Sequence, residues 1–519
     1  MDRFGPDGVL ITSFSRAAAA ELAGRDLPVS HDRIGTLHSH CWHALNGPQI
    51  AEANVAEWNK DNPELPITPA KKGKTNAEDS GDESETDQRG DELLQELNRH
   101  RGMMMPAAAR FLWTDSLRDF EKRWTEYKLA NGLTDFADLI ENCLRDVPFA
   151  PRRPSVIFAD EAQDLNKMQL TLVRKWGERA NFFVVAGDDD QTIYAFTGAT
   201  PEAMLDPEIP DDHKIILKQS YRVPRQVHGF AEALIHKVTR RQAKEYFPRP
   251  VDGEVKRLRR DNYLLTELDI LKTAVEHLEC GQSVMFLASC AYMLQSLVAV
   301  LRKNGVPFHN PYRRNNGFWN PLRVGKRTST AGRVLALLVG HPDFGDGHRA
   351  WTNDDLALWA EVLRSKGVLR TGVKTAKLKT GVGADAVSMK RLDELFDPEA
   401  LESMVAAWEG TYRDLLSWWR ERLNTDIKKR AVFPALIAEK RGPQALAETP
   451  RAIVGTIHSV KGGEADVVYL FPDLSQAGAA QYASMGAARD AAIRQFYVGA
   501  TRTREKLYLC SSVGKAIKL

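Results

Sequence analysis

The sequence predicts an α/β protein built on parallel sheets, divided into more than one domain. Three observations carry this. Short apolar runs that read as strands, among them "SVIFAD", "NFFVVAGD", "QSVMFLASC", "RAIVGTIHSV" and "DVVYLF", alternate with helix-period segments. The chain has 519 residues, 43% of them apolar, enough to bury several cores. Between residues 320 and 450 the pattern changes to Trp- and Leu-rich helical stretches such as "MVAAWEGTYRDLLSWWRERL".

Taken in order, "DGVLITSFSRAAAAEL" reads as a strand entering an alanine-rich helix, and "RIGTLHSHCWHALN" as a second strand start. Residues 71–96 are polar, acidic after Asn76 and poor in core-forming side chains, so they are expected to be a disordered insertion. The "GKT" at 73–75 inside it is no phosphate loop, because the glycine needed five residues earlier is Thr68 and no apolar strand precedes it. Residues 108–146 carry helical spacing. "SVIFAD" and "NFFVVAGD" follow as strands separated by the helix-like "NKMQLTLVRKW". A second series runs "HKIILKQSYR", "QSVMFLASC", "RAIVGTIHSV", "DVVYLF" and "KLYLCSS". In such sheets function gathers at the strand C-terminal ends. The helix-period Trp418 and Trp419 are expected in the core of the inserted helical region.

Composition excludes several classes. No apolar stretch is long enough to span a bilayer and the start lacks a signal-peptide layout, so no membrane partner and a cytoplasmic location are expected. Five scattered cysteines form no metal-ligand spacing and are expected to be buried free thiols. With 71 basic against 69 acidic residues, the net charge of +2 neither requires nor forbids a nucleic-acid partner.

The chemistry begins at "VIFADEAQDLN", where a strand ends in Asp160 and Glu161. Such a pair can reach a hydrated magnesium ion and orient or deprotonate a water, as nucleotide hydrolysis requires. The competing reading makes Asp160 a helix cap and Glu161 a first-turn acid. "VVAGDDDQTIYAFTGA" repeats a strand ending in acids, with Gln191 at the strand tip; Tyr194 and Phe196, two residues apart, read as buried filler in most proteins, whereas on an exposed strand-tip loop they could stack on bases.

"DEAQD", "GDDDQTIYAFTGA", "LKQSYR", "TIHSVKGGEADVVYLF" and "FYVGATRTREKLYL", with the earlier "TSFSRAAAAEL", "GTLHSHC" and "LTDFADLI", resemble in order the motifs of the UvrD/Rep/PcrA family of superfamily 1 DNA helicases. The resemblance runs from about residue 9 to residue 510. It implies two RecA-like motor domains of the P-loop NTPase fold with inserted helical subdomains, holding ATP and Mg2+ and moving 3′ to 5′ on single-stranded DNA or at single-strand/duplex junctions, in repair, recombination or replication. On that resemblance the first motor domain would comprise 1–45 and 130–212, with 46–129 inserted. The second would comprise 213–320 and 451–519, with 321–450 inserted.

The resemblance further implies Asp160 as the magnesium ligand, Glu161 as catalytic base and Gln191 as the link between γ-phosphate and DNA. Arg222 and Arg502 resemble fingers on the γ-phosphate, Tyr221 the adenine-stacking ring, and Glu464, beside Gly463, the ribose contact. Phe14, Thr36, His38, Tyr194, Phe196, Thr456 and His458 resemble strand-contacting positions. The chain departs from the pattern at Thr197, where relatives carry arginine, and at Gly463 and Ala465, where they carry bulkier residues. The family's phosphate loop should precede Val9, yet only the eight residues "MDRFGPDG" stand there, too few for a strand, loop and helix. The first domain is therefore expected to be N-terminally truncated and the isolated chain to be deficient in hydrolysis. Three accounts stand open: a start lying upstream, a phosphate loop supplied by a separate chain or segment, or a non-hydrolysing relative that keeps single-stranded DNA binding or serves as a scaffold.

Overall fold

The computed structural model describes residues 4–14, 19, 22–24, 27–70, 89–258, 266–313, 316–373 and 385–519, without the side chains of residues 202 and 203. Of the alanine-rich helix expected after residue 14, only Ala19, Leu22, Ala23 and Gly24 are described, and they are helical; the "GKT" at 73–75 and the acidic run up to residue 88 lie outside the described residues. Twelve strands are described: β1 (Val9–Ser13), β2 (Ile34–Thr36), β3 (Val156–Asp160), β4 (Phe182–Val185), β5 (Gln219–Pro224), β6 (Phe247–Arg249), β7 (Glu254–Arg257), β8 (Val284–Ala288), β9 (Phe308–His309), β10 (Ala452–Thr456), β11 (Ala465–Leu470) and β12 (Thr503–Leu509). The chain folds as two compact units, one of Met1–Leu264, Leu287–Met293 and Gly455–Leu519, the other of Leu265–Phe286 and Leu294–Val454. The protein is thus mixed α/β with parallel sheets, as its strand-helix alternation requires.

In the first unit a four-stranded parallel sheet has the order β2-β1-β3-β4. The β1–β3 register pairs Val9 with Val156 and Ser13 with Asp160, so both strands end at the same level. All five residues of β1 are buried, as expected of an interior parallel strand. β4 is the outermost strand of this sheet, and Phe182 (48% exposed) and Val184 (39%) show the consequence. Helices start where the sequence supplies caps: Thr36 caps Leu37–Ala44, while Asp135 and Asn166 form capping boxes for Phe136–Asp146 and Lys167–Gly177.

The same unit holds β5 paired with β6, and β12 between β7 and β11 in parallel. Beyond β11 come the C-terminal ends of β8 and β10, held by Phe471 N–H donating to Leu287 O (2.8 Å) and Ile457 N–H to Ala288 O (3.0 Å). The strand expected from "HKIILKQSYR" is confined to its end: Ile215 (88% exposed) and Leu217 (84%) precede β5 with no ladder partner among the described residues.

Residues 89–96 correct the expectation of disorder over 71–96. They open the helix Arg89–Gly102, because Leu93, Leu94 and Leu97 share one face and pack with Trp58, Phe120 and Trp124. Asp91 binds Thr68 through the latter's N–H (2.9 Å) and Oγ1 (2.6 Å), anchoring that start. Beneath this layer Asp135 receives Arg101, Lys128 (2.5 Å) and the Trp124 indole N–H (3.0 Å). Burial opposes the charge, but Arg101 and Lys128 hold the carboxyl well below its usual range.

In the second unit β9 pairs in parallel with the start of β10, and the helices Thr330–Leu338, Asn353–Ala360, Pro398–Glu409, Tyr412–Glu421 and Thr425–Arg441 surround Trp359, Phe396, Trp418 and Trp419. Both tryptophans are core, as their spacing predicts, and each indole N–H is satisfied: Trp419 donates to Trp359 O (2.8 Å) and Trp418 to Ser403 Oγ (2.9 Å). Cys41, Cys143, Cys290 and Cys510 are buried free thiols, but Cys280 is exposed, because it closes the helix Glu267–Glu279 where the apolar face has run out. No described helix is long and apolar enough to cross a membrane.

Glu52 is fully buried. First burial and then the charge of Asp135 push its carboxyl up to about 8, while its Oε1 accepts the Phe136 N–H (3.1 Å). A raised carboxyl favours the folded state below its unfolded range and loses that advantage as pH climbs through 8. The thermal midpoint of the chain should therefore fall between pH 6 and pH 9, and Glu52→Gln should flatten that decline. An equally steep decline in the variant would refute the assignment.

Candidate nucleotide and nucleic-acid site

β3 delivers Asp160 and Glu161 to the C-terminal edge of its sheet, both half-buried. Glu161 adopts a left-handed backbone, φ 50° and ψ 38°, which a non-glycine residue holds only when its surroundings enforce it. A short 3-10 helix, Ala162–Asp164, follows directly and Glu161 before it makes no side-chain cap, while the next α-helix, Lys167–Gly177, is capped by Asn166. Instead Glu161 Oε2 accepts from Gln163 Nε2 (2.5 Å) and lies 3.4 Å from Lys461 Nζ.

The tip of β4 continues into Asp188, Asp189, Asp190 and Gln191. The three aspartates bring carboxylate oxygens within 4.8 Å of one another, a spacing that a metal could use. Two of the protein's own cations already pair with them. Lys244 Nζ reaches Asp188, Asp189 (2.7 Å) and Asp190 (3.0 Å), and Arg241 grips Asp190 with two donors (3.0 and 2.6 Å). Burial opposes the charge of Lys244, but the three carboxylates raise it above the usual ammonium range. This knot fixes the turn that presents Gln191, whose Nε2 donates to Asp188 Oδ2 (2.8 Å).

Gln191 Oε1 accepts from Arg502 Nη2 (3.1 Å). Arg502 is only 2% exposed, and its other donors go to Val498 O (3.0 Å) and Gly463 O (3.4 Å). Two residues far apart in sequence, each singled out for the γ-phosphate, thus meet directly. Arg222 is half-buried, and its Nε is buried without a hydrogen-bond partner, an orphan donor of the kind a phosphate oxygen would satisfy. Tyr221 is 86% exposed, with its ring open to a base. Gly463 is buried, and Glu464 is exposed and paired with Arg504 Nη1 (2.8 Å). The two carboxylates, the orphan Nε and the open ring fit a magnesium nucleotide.

The nucleic-acid candidates divide. Phe14, Tyr194, Phe196 and His458 form one aromatic cluster, with ring centroids 4.8 Å apart for Phe14–Tyr194, 5.8 Å for Tyr194–Phe196 and 5.6 Å for Phe196–His458. The expectation of an exposed loop is corrected for Tyr194, which is buried because it packs between Phe14 and His458, as is Phe14; Phe196 is half-buried. Thr36 and Thr456 are buried and use their hydroxyls to accept the Ser39 N–H (3.3 Å) and the Ser459 N–H (3.2 Å). The ring of His38 meets Phe136 edge-on at 6.0 Å.

Three participants were not singled out from the sequence. Lys461 donates to Asp164 Oδ2 and to Gln191 O (2.9 Å), and Gln495 Nε2 stands 3.3 Å from His458 Nδ1. Burial, with the charge of Glu161 adding and Lys461 opposing, pushes the Asp164 carboxyl up to about 7. The available signal was position: Asp164 and Lys461 stand within three residues of Glu161 and Glu464. Removing the cation from the aspartate knot tests its structural role. Lys244→Met should cost about 3–5 kcal/mol, read as a lower thermal midpoint, since buried carboxylates are left uncompensated; an unchanged midpoint would contradict it.

The family described as "UvrD/REP helicase N-terminal domain" matches residues 2–209, and "UvrD-like helicase C-terminal domain" matches residues 451–510. The chain is 31% identical to the ATP-dependent DNA helicase PcrA of Bacillus subtilis over 149 residues, 27% of this chain and 20% of that protein. It is 32% identical to PcrA of Staphylococcus aureus over 133 residues, 24% of this chain and 18% of that protein. YjcD of Bacillus subtilis is 24% identical over 257 residues, 46% of this chain and 34% of that protein. The matched stretches thus span about a fifth to a third of these relatives' own length. With both domain types matched in chain order around Asp160, Gln191, His458 and Arg502, the chain belongs to the UvrD/PcrA-like family of superfamily 1 DNA helicases.

Proposed function

We propose that the chain is the motor of an ATP-dependent translocase that moves 3′ to 5′ on single-stranded DNA and at single-strand/duplex junctions, in DNA repair, recombination or replication. The observation that carries this reading is the Gln191–Arg502 hydrogen bond, because the loop that makes it continues within three residues to Tyr194 in the aromatic cluster. One loop thereby joins the groups suited to a triphosphate to those suited to bases.

In this reading Asp160 would hold the magnesium ion, which supplies charge neutralisation to the phosphates when bound. Glu161 would orient the attacking water and receive its proton on a carboxylate oxygen. Arg502 and Arg222 would place guanidinium charge where the departing phosphoryl oxygens gather it, and Gln191 would register their movement. Tyr221 would stack on the base of the nucleotide, with Glu464 and Gly463 beside its sugar. Phe196, half-buried where Phe14 and Tyr194 are buried, would stack on a base of the strand, backed by Tyr194, Phe14 and His458. Thr36, His38 and Thr456 would line the strand path.

A second reading, binding of single-stranded DNA without hydrolysis, is favoured by one observation: Glu161 is already engaged by Gln163 and Lys461.

ATP hydrolysis by the 519-residue chain, with and without single-stranded DNA, separates the two. The motor reading expects hydrolysis stimulated by DNA and lost in Glu161→Gln and Arg502→Ala. Retained DNA binding with no hydrolysis would select the second reading. In either case Phe196→Ala should weaken oligonucleotide binding by about 1–3 kcal/mol, measured by fluorescence anisotropy, and undiminished affinity would remove Phe196 from the strand path.

A further inference from the structure

Lys461 lies in the segment between β10 and β11, yet its ammonium sits among residues carried by the first sheet. Nζ donates to Asp164 Oδ2 and to the Gln191 backbone carbonyl (2.9 Å), lies 3.4 Å from Glu161 Oε2, and stands 5.6 Å from the centroid of the Tyr194 ring. The side chain is 8% exposed, so the cation has given up its water for these four neighbours. A lysine whose only role was to hydrate the surface would not be found in such a place.

The neighbours sort by what they border. Asp164 and Glu161 follow β3 and border the nucleotide groups, whereas Tyr194 belongs to the aromatic cluster. Gln191 stands between the two. The same segment reaches this loop a second time, through His458 Nε2 and Ile193 O at 3.0 Å. Residues 458–461 therefore hold 191–194 at two backbone carbonyls, one on each side of Thr192. Of the two contacts, only that of Lys461 also reaches the carboxylates after β3.

We infer that Lys461 is a positioning residue, which ties Asp164 and the Gln191 carbonyl together and so sets the aromatic cluster of Tyr194 for binding single-stranded nucleic acid. Asp164 is its counter-charge, and the pair acts as a single link between the carboxylate side and the aromatic side. This inference rests on the reading of the cluster as the nucleic-acid site.

The test is a double-variant cycle on the full chain, titrating a fluorescein-labelled oligothymidylate and following anisotropy without nucleotide. Lys461→Met is expected to weaken binding about fivefold or more, Asp164→Asn to do the same, and the double variant to bind no more weakly than either, because coupled partners are not additive. Lys461→Arg, which keeps charge and donors, should return affinity to within about twofold of the native chain. A merely structural lysine would instead lower the melting temperature without rescue of affinity by arginine, and that result overturns the inference. So do single variants that bind like the native chain, or effects that multiply in the double variant. If Lys461→Met does not fold, the isosteric Asp164→Asn decides by the same criterion. A native chain that binds no oligothymidylate overturns the nucleic-acid reading itself, and this inference with it, whereas native binding with unaffected variants overturns this inference alone.

Discussion

A buried guanidinium has to find an acceptor for its donors, and the first unit is organised around the way Arg502 meets that demand. Its planar fork reaches Val498 O, Gly463 O and Gln191 Oε1, three acceptors from three segments. Loss of any one would leave a desolvated donor, so the helix Ala487–Ala500, the turn before β11 and the tip of β4 are held in one arrangement. Gln191 takes its orientation from this bond and from its own donation to Asp188.

Charge inside the first unit is handled throughout by local neutralisation. The aspartates at 188–190 are met by Lys244 and Arg241, Asp135 by Arg101 and Lys128, and Asp164 by Lys461. Each cluster stands where a loop must keep a fixed shape, and none is a generic surface pair of the sort that contributes little. Where burial outweighs the partner, the carboxyl rises instead: Asp164 to about 7 despite Lys461, and Glu52, with Asp135 beside it, to about 8.

The aromatic cluster shows how one side chain can serve packing and recognition together. Phe14 and Tyr194 are buried, so they act as the base on which Phe196 and His458 rest. The tilted and edge-on angles, from 41° to 78°, are those that ring quadrupoles prefer over face-to-face stacking.

Much of this was legible in the sequence. The strand-helix alternation determined the parallel sheets, the apolar runs located β1, β3, β4, β8, β10, β11 and β12, and the helix-period tryptophans marked a core, because each is a local consequence of side-chain periodicity. Asp160, Glu161, Gln191 and Arg502 could be named from their positions at strand tips and in motifs. What the tertiary structure alone decided is who meets whom. The helix over 89–96 forms because its leucines find Trp58 and Trp124, the Asp188–Asp190 turn is a cation-held knot because Lys244 and Arg241 arrive from later in the chain, and Lys461 becomes a link between two loops. A linear sequence records the charge and shape of each side chain, but the desolvation that makes a pairing compulsory exists only once the chain has closed around it.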